Sequence, residues 1–211
     1  MAHPTSRRDR KRSRIRNELV TAARSLIAEG GVADLRVIDV TERCDVALGS
    51  FYSHFKTKDD IIDAVVEETV TSLADTIGDV GDRLDDPAEA LSVGARRLVG
   101  LCQTDPVSAQ LLVRLEDAEP RFEQMIWVRA ERIMRHGVET GRFRVEDPTL
   151  ALTIAIAGVL AVIRGVVDGR LDRDIDAEAA CAATILRAVG IDRDEISAIV
   201  SRPLPSFDDL R

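Results

Sequence analysis

Aromatic residues are scarce: one Trp, one Tyr and five Phe among 211 residues. No stretch alternates apolar and polar residues between hairpin turns, so a β-sandwich or barrel is not expected. Cysteines number three, Cys44, Cys102 and Cys181, far apart and with no CxxC pair. That usage argues against a disulfide framework or a zinc site and fits small buried hydrophobes in a reducing compartment. Cys44 alone leaves a redox switch open. The histidines, His3, His54 and His136, pair with no Ser, Cys or carboxylate in a nucleophile pattern, and neither a Gly-rich phosphate loop nor HExxH occurs. Enzymatic activity, a metal and a cofactor are therefore not expected. The carboxylates of Glu116, Asp117 and Glu119 read as a solvated helix end. The longest apolar run, Leu150 to Ile163, is 14 residues including Thr153, shorter than a bilayer requires. No apolar segment follows the basic N-terminus as it would in a signal peptide, so a cytoplasmic location is expected.

What is present points to helices. Leu, Val, Ile and Ala dominate, and 31% of residues are charged. The net charge of −8 is unevenly divided: residues 1–58 hold 12 basic and 7 acidic side chains, the remainder 17 and 30. A basic end on an acidic body suits a directed nucleic-acid binder, because counterion release depends on the contacted face and not on the average. Residues 1–13 read as a disordered basic arm, with Arg10 and Arg12 placed to track phosphates or enter a minor groove. A helix from about Ser13 to Glu29 follows, with Ile15, Leu19, Ala22, Ala23, Leu26 and Ile27 on one face and Gly30-Gly31 ending it.

The organising stretch is Val37 to Phe55, VIDVTERCDVALGSFYSHF. It reads as two short helices around a sharp turn at Cys44-Asp45, since Asp tolerates a left-handed backbone. Val37, Val40 and Cys44 share a buried face of the first. In the second, Phe51 and Phe55 anchor inward while Gly49, Ser50, Tyr52 and His54 face out. A helix exposing Gly, hydroxyls and an imidazole is built for close approach and hydrogen bonding. Thr57 and Asp60 then form a capping-box-like start to a fourth helix. Lys58 sits in its first turn, against the helix dipole, where a cation makes better sense as a phosphate ligand.

This stretch resembles the helix-turn-helix of the TetR family of bacterial transcriptional regulators. Gly49-Ser50-Phe51-Tyr52-Ser53-His54-Phe55-Lys56-Thr57-Lys58 matches the family core G-[ST]-F-Y-x-H-F-x-[ST]-K, and the likeness extends over about residues 14–65. Three positions depart. Asp45 stands where the family has Gly, and Ala47 stands where it has a capping Ser, at a cost of roughly 1 kcal/mol; Asp45 is expected to cap the second helix instead. Leu48 occupies a frequently polar position, where it can meet a thymine methyl. The resemblance implies an all-α protein of nine or ten helices: a helix-turn-helix domain over 14–58, a helical effector-binding and dimerisation domain over 59–202, and a tail over 203–211. It implies a homodimer on palindromic double-stranded DNA. The DNA contacts would be Arg10, Arg12, Arg14, Arg36, Leu48, Gly49, Ser50, Tyr52, His54 and Lys58. It also implies repression relieved when a small-molecule effector tilts the fourth helix.

The body carries its own boundaries. Asp86-Pro87, Asp105-Pro106, Pro120, Asp147-Pro148 and Asp176 each open a helix by a cap, a first-turn proline or both. The helices over about 148–168 and 176–189 are rich in Ala and apolar on nearly every side, so they are expected to cover one another across a dimer as a four-helix bundle. Candidate effector-lining residues are Leu98, Cys102, Leu112, Leu115, Phe122, Met125, Ile126, Trp127 and Leu160. Arg114 and Arg129, if buried, would indicate an anionic ligand group. The rival reading, motivated by Asp45, Ala47 and Leu48, is a homodimeric ligand-binding or interaction module without specific DNA binding.

Overall fold

The computed structural model describes the backbone of residues 7–77, 83–115, 120–172 and 176–205; within these, side chains are described except at 7–8, 74–77, 114–115, 120–123 and 125. All regular structure among the described residues is helical. The chain forms two compact units that divide between Thr69 and Val70, inside the fourth helix. The boundary anticipated from sequence lay before Asp59. Ile61, Ala64, Val65 and Val66 are all buried, which keeps the first half of that helix in the core of the first unit.

The first unit contains α1 (Arg7–Gly30), α2 (Val37–Arg43), α3 (Leu48–Tyr52) and the start of α4 (Lys58–Ile77). Helix α1 begins at Arg7, so the expected disordered arm over 1–13 is corrected for residues 7–13; residues 1–6 lie outside the described residues. Arg and Lys are good helix formers in their own right, and the basic run extends the helix beyond its apolar stripe. Leu19, Ala22, Ala23 and Ile27 of that stripe are buried. Two ties hold α1 to the end of α2: Arg43 grips Glu29 through two hydrogen bonds of 2.7 and 3.0 Å, and Cys44 Sγ donates to the Glu18 carbonyl at 3.2 Å.

The second unit contains α5 (Pro87–Thr104), α6 (Pro106–Leu115), α7 (Pro120–Glu139), α8 (Pro148–Val167), α9 (Ala177–Ala188) and α10 (Arg193–Val200). Helix α5 is its axis, packing against α6, α7, α8, α9 and α10. The aspartate-capped starts are realised. Asp86 accepts from Ala88 N–H, Asp147 from Thr149 and Leu150 N–H, and Asp176 from Ala179 N–H. Asp105 accepts from the Ser108 N–H and hydroxyl. Gly141 and Gly190 end α7 and α9 with positive φ of 70° and 86°, a conformation that costs Gly little.

Helix α8 is longer than the apolar run suggested. The helix has 20 residues, and an 18-residue stretch of it has a mean hydropathy of 2.4, enough by length and composition to cross a bilayer. The expectation that this segment is too short counted only the unbroken run. Leu152, Val159 and Ile163 are buried inside the unit, while Leu150 and Ile154 on another side are more than half exposed.

Candidate nucleic-acid interface and small-molecule cavity

The turn between α2 and α3 differs from expectation in one respect. Asp45 has φ of 52°, the one non-glycine residue with positive φ among those described. It ends α2: its N–H donates to the Glu42 carbonyl, and the Val46 N–H donates to the Thr41 carbonyl at 3.0 Å. The left-handed backbone is thus used to close a helix in the manner usually left to Gly. Asp45 does not cap α3. Ala47 holds that position without a side-chain hydrogen bond. By contrast, the start of α4 follows the capping-box reading. Asp60 accepts from the Lys56 and Thr57 N–H groups at 2.7 and 3.1 Å, and its own N–H donates to Thr57 Oγ1 at 3.1 Å. These backbone donors hold the Asp60 carboxyl below its ordinary value.

Helix α3 has an inner and an outer side. Phe51 and Phe55 are buried, their rings 5.7 Å apart, and the Arg16 guanidinium lies 5.3 Å from the Phe55 ring centre. Tyr52 stands edge-on to Phe51 and is 55% exposed. Leu48 is exposed beside it, and a side chain built on Gly49 would meet nothing within 4 Å. Ser50 is half-buried. Leu48, Gly49 and Tyr52 therefore present an open strip with little relief, and His54 adds a half-buried imidazole at its end.

The cations around the strip are arranged unequally. His54 is held below its ordinary pKa by burial and then by the charges of Arg12 and Arg16, and the Arg16 guanidinium lies over the Phe55 ring that follows His54. Arg16 was not foreseen; on a helix that continues back to Arg7, it shares a face with Arg12 four residues earlier. Arg10 and Arg14 are exposed, with Arg14 3.4 Å from Glu18. The Arg36 guanidinium is closed on Asp39 by hydrogen bonds of 2.7 and 2.6 Å, so a phosphate would have to share or replace that carboxylate. Lys58 is half-buried, its Nζ 3.5 Å from the Ala33 carbonyl. Cys44 does not look reactive: burial and the Glu18 charge raise its thiol pKa.

Within the second unit, α5, α7, α8 and α9 border a partly open cavity of about 60 Å³. Of the sequence candidates, Leu98, Ile126 and Leu160 line it. Cys102 and Leu112 are buried elsewhere, and Trp127 is half-buried outside the lining. The side chains of Leu115, Phe122, Met125 and Arg114 lie outside the described residues, as does the acidic cluster at 116–119. Gly94, Ile133, Leu152 and Val159 belong to the wall and were not foreseen. They share the i, i+3, i+4 pattern of ordinary core positions, so periodicity cannot separate cavity from core. Arg129 also lines the cavity. A second hollow, an open groove of about 360 Å³, runs between α8 and α9 and is bordered by Ile154, Gly158, Leu171, Ala177 and Thr184.

Two family signatures match the chain. "Bacterial regulatory proteins, tetR family" covers residues 19–65, and "Tetracyclin repressor-like, C-terminal domain" covers residues 86–202. The chain belongs to the TetR family. It is a ligand-responsive transcriptional repressor with a helix-turn-helix domain followed by a helical domain, and members of this family bind DNA operators as dimers. The TetR-family structure of RolR in complex with resorcinol is 33% identical, covering 94% of this chain and 98% of that one with a TM-score of 0.69. SmeT, repressor of the Stenotrophomonas maltophilia multidrug efflux pump SmeDEF, aligns with a TM-score of 0.74 over 90% of this chain and 97% of its own. At 22% identity that likeness shows the fold alone. The repressor KstR2 of Mycobacterium tuberculosis is 26% identical over 148 residues, 61% of this chain and 69% of its own.

Proposed function

We propose that this repressor reads a palindromic operator as a homodimer through the outer strip of α3, and that an effector entering the cavity around α5 releases it. The observation that carries the DNA reading is the pairing of an open strip at Leu48, Gly49 and Tyr52 with the charges of Arg12 and Arg16 beside His54. Leu48 and Ser50 would meet base edges. Tyr52, His54, Lys58 and the arginines at 10, 12, 14 and 36 would meet phosphates, which set register without specifying sequence. Arg36 takes this role only after yielding Asp39.

The exposed side chains of Leu150 and Ile154, with the apolar groove between α8 and α9, support a dimer through these two helices. Two α3 helices related by that symmetry would enter successive major grooves, one helical turn of DNA apart. The resorcinol bound to RolR supports a small organic molecule as the effector class. The protein acts in the cytoplasm, where its operator is.

The test is binding of the purified protein to the intergenic DNA beside its own gene, titrated against salt and competitor DNA. A specific complex with a steep salt dependence is expected. Tyr52→Phe combined with Lys58→Ala should weaken that complex and flatten its salt slope. If the double variant binds with unchanged affinity and slope, the contact assignment is wrong. If wild-type protein binds operator and competitor equally, with and without added ligand, the chain is a ligand-binding module only.

A further inference from the structure

The hollow bordered by α5, α7, α8 and α9 offers carbon to an occupant. Leu91, Leu98, Leu152, Ile156, Val159 and Ile185 supply branched aliphatic wall, and the surface accessible inside is almost entirely apolar. Arg129 does not break this pattern. Its Nε is buried with next to no accessible surface, so what Arg129 adds to the accessible wall is its aliphatic stem, as long basic side chains commonly do. An anionic ligand group, the expectation attached to a buried Arg129, finds almost no exposed polar surface to meet here. A hydroxyl or a charge carried into the hollow gives up its hydration without return. A hydrocarbon gains by the same transfer, and apolar hollows in proteins take such ligands.

We propose that the effector is a small uncharged hydrocarbon-like molecule, buried against Leu98, Leu152 and Val159 without a hydrogen bond. This rests on the reading of the cavity as the effector site and adds the chemical class. It also separates this chain from RolR at the level of the ligand, because the two hydroxyls of resorcinol would go unpaired against this wall. The volume of about 60 Å³ restricts an unstrained occupant to a few heavy atoms, but the hollow is partly open. A single ring therefore enters by displacing aliphatic side chains, with no polar contact of the wall to break. Affinity comes from burial of apolar surface, so replacing a methyl on the ring by a hydroxyl of similar size lowers it.

Wild-type protein is titrated by calorimetry with two matched pairs, toluene with phenol and m-xylene with resorcinol. Within each pair the shape is kept and methyl stands in for hydroxyl. Toluene should bind at least about tenfold more tightly than phenol, and m-xylene than resorcinol, because the hydroxyls are desolvated without a partner. Gly94→Leu serves as the cavity block: a Cβ there meets nothing within 4 Å, and the change replaces a poor helix former by a good one. It should weaken both hydrocarbons. Added to the complex of wild type with its intergenic DNA, toluene should release the duplex at concentrations where phenol does not. Equal or tighter binding of the phenols, blocked by Gly94→Leu, overturns the hydrocarbon proposal and leaves the effector cavity standing. Toluene binding that survives Gly94→Leu overturns the proposal, because the ring then sits elsewhere. Toluene that binds in the cavity and leaves the DNA complex intact overturns it as the effector class. Binding of none of the four overturns the proposal and the cavity reading together.

Discussion

Arg142 lies between α7 and α8, and its guanidinium closes on two carboxylates at once. Nε and Nη2 donate to Asp86 at 2.8 and 2.9 Å; Nη1 and Nη2 donate to Glu195 at 3.1 and 2.6 Å. One side chain thus joins the cap of α5, the connection before α8 and the first turn of α10. Arg142→Ala removes both pairs and leaves Asp86 with its capping bond alone. The Arg142 and Asp86 side chains are 26% and 31% exposed, so this pair retains much of the charge-assisted value of roughly 1.5–3 kcal/mol. Glu195 is 44% exposed, and its arm adds at most about 0.5 kcal/mol after solvent screening. A loss of about 2 kcal/mol is expected, or about 4–8 °C in Tm for a chain of this length. Hydrogen bonding to Arg142 is the main cause holding both Asp86 and Glu195 below their ordinary pKa values. A carboxylate depressed in the folded state contributes stability above its unfolded pKa, about 4, and loses it as pH falls through the lower folded value. Urea unfolding followed by Trp127 emission should therefore show the full difference between wild type and Arg142→Ala from about pH 5 to pH 8, shrinking below about pH 4. A difference under about 0.5 kcal/mol at pH 7, or one that stays constant to pH 3, refutes this account.

Ile154→Asp places a charge on the exposed face of α8 and should convert the dimer to monomer in sedimentation at micromolar concentration, with helicity unchanged. A dimer that persists moves the interface elsewhere. His54 has a lowered pKa in the free protein. A phosphate beside it raises that pKa, so DNA binding takes up a proton and operator affinity should rise as pH falls from 8 to 6. His54→Gln should flatten that pH profile, and an unchanged slope removes His54 from the contact set. Gly137→Ala drives a methyl into the ring of Phe143 and should cost roughly 1–3 kcal/mol by overpacking in thermal melts. Full stability would mean that the ring swings away freely.

What the sequence made legible was local. The caps at Asp86, Asp105, Asp147 and Asp176, and the Thr57-Asp60 box, are interactions between residues two or three apart, and their residue types disclose them. Asp45 shows the limit of that logic. Its tolerance of positive φ was readable, but the backbone spends it on closing α2 and leaves α3 uncapped. Tertiary roles were hidden. Arg96 and Arg97 sit buried on α5 and donate to the carbonyls of Arg202 and Pro205 at 2.8 and 2.7 Å, latching the chain after α10 onto the axis of the unit. Nothing near them in sequence announces a partner more than a hundred positions away. Cavity walls were hidden for a different reason. Leu98 faces the hollow while Cys102, one turn later on the same helix, does not line it, and only the packing of α7 and α8 decides which side holds space.

Helix α3 is five residues long, has no side-chain cap and carries Gly at its second position. By local energetics such a segment does not hold together, since a single turn fixes more backbone than its hydrogen bonds return. Its stability has to come from tertiary anchors, and these are visible: Phe51 and Phe55 buried against one another, with Arg16 over the second ring. The anchors all lie on the inner side. The outer residues Leu48 and Gly49 therefore bear little of the fold, which frees them to vary. On this argument Ala47 and Leu48 are departures that the fold absorbs: the missing cap is offset by the aromatic pair, and the exposed leucine takes no part in the anchoring that lets α3 form.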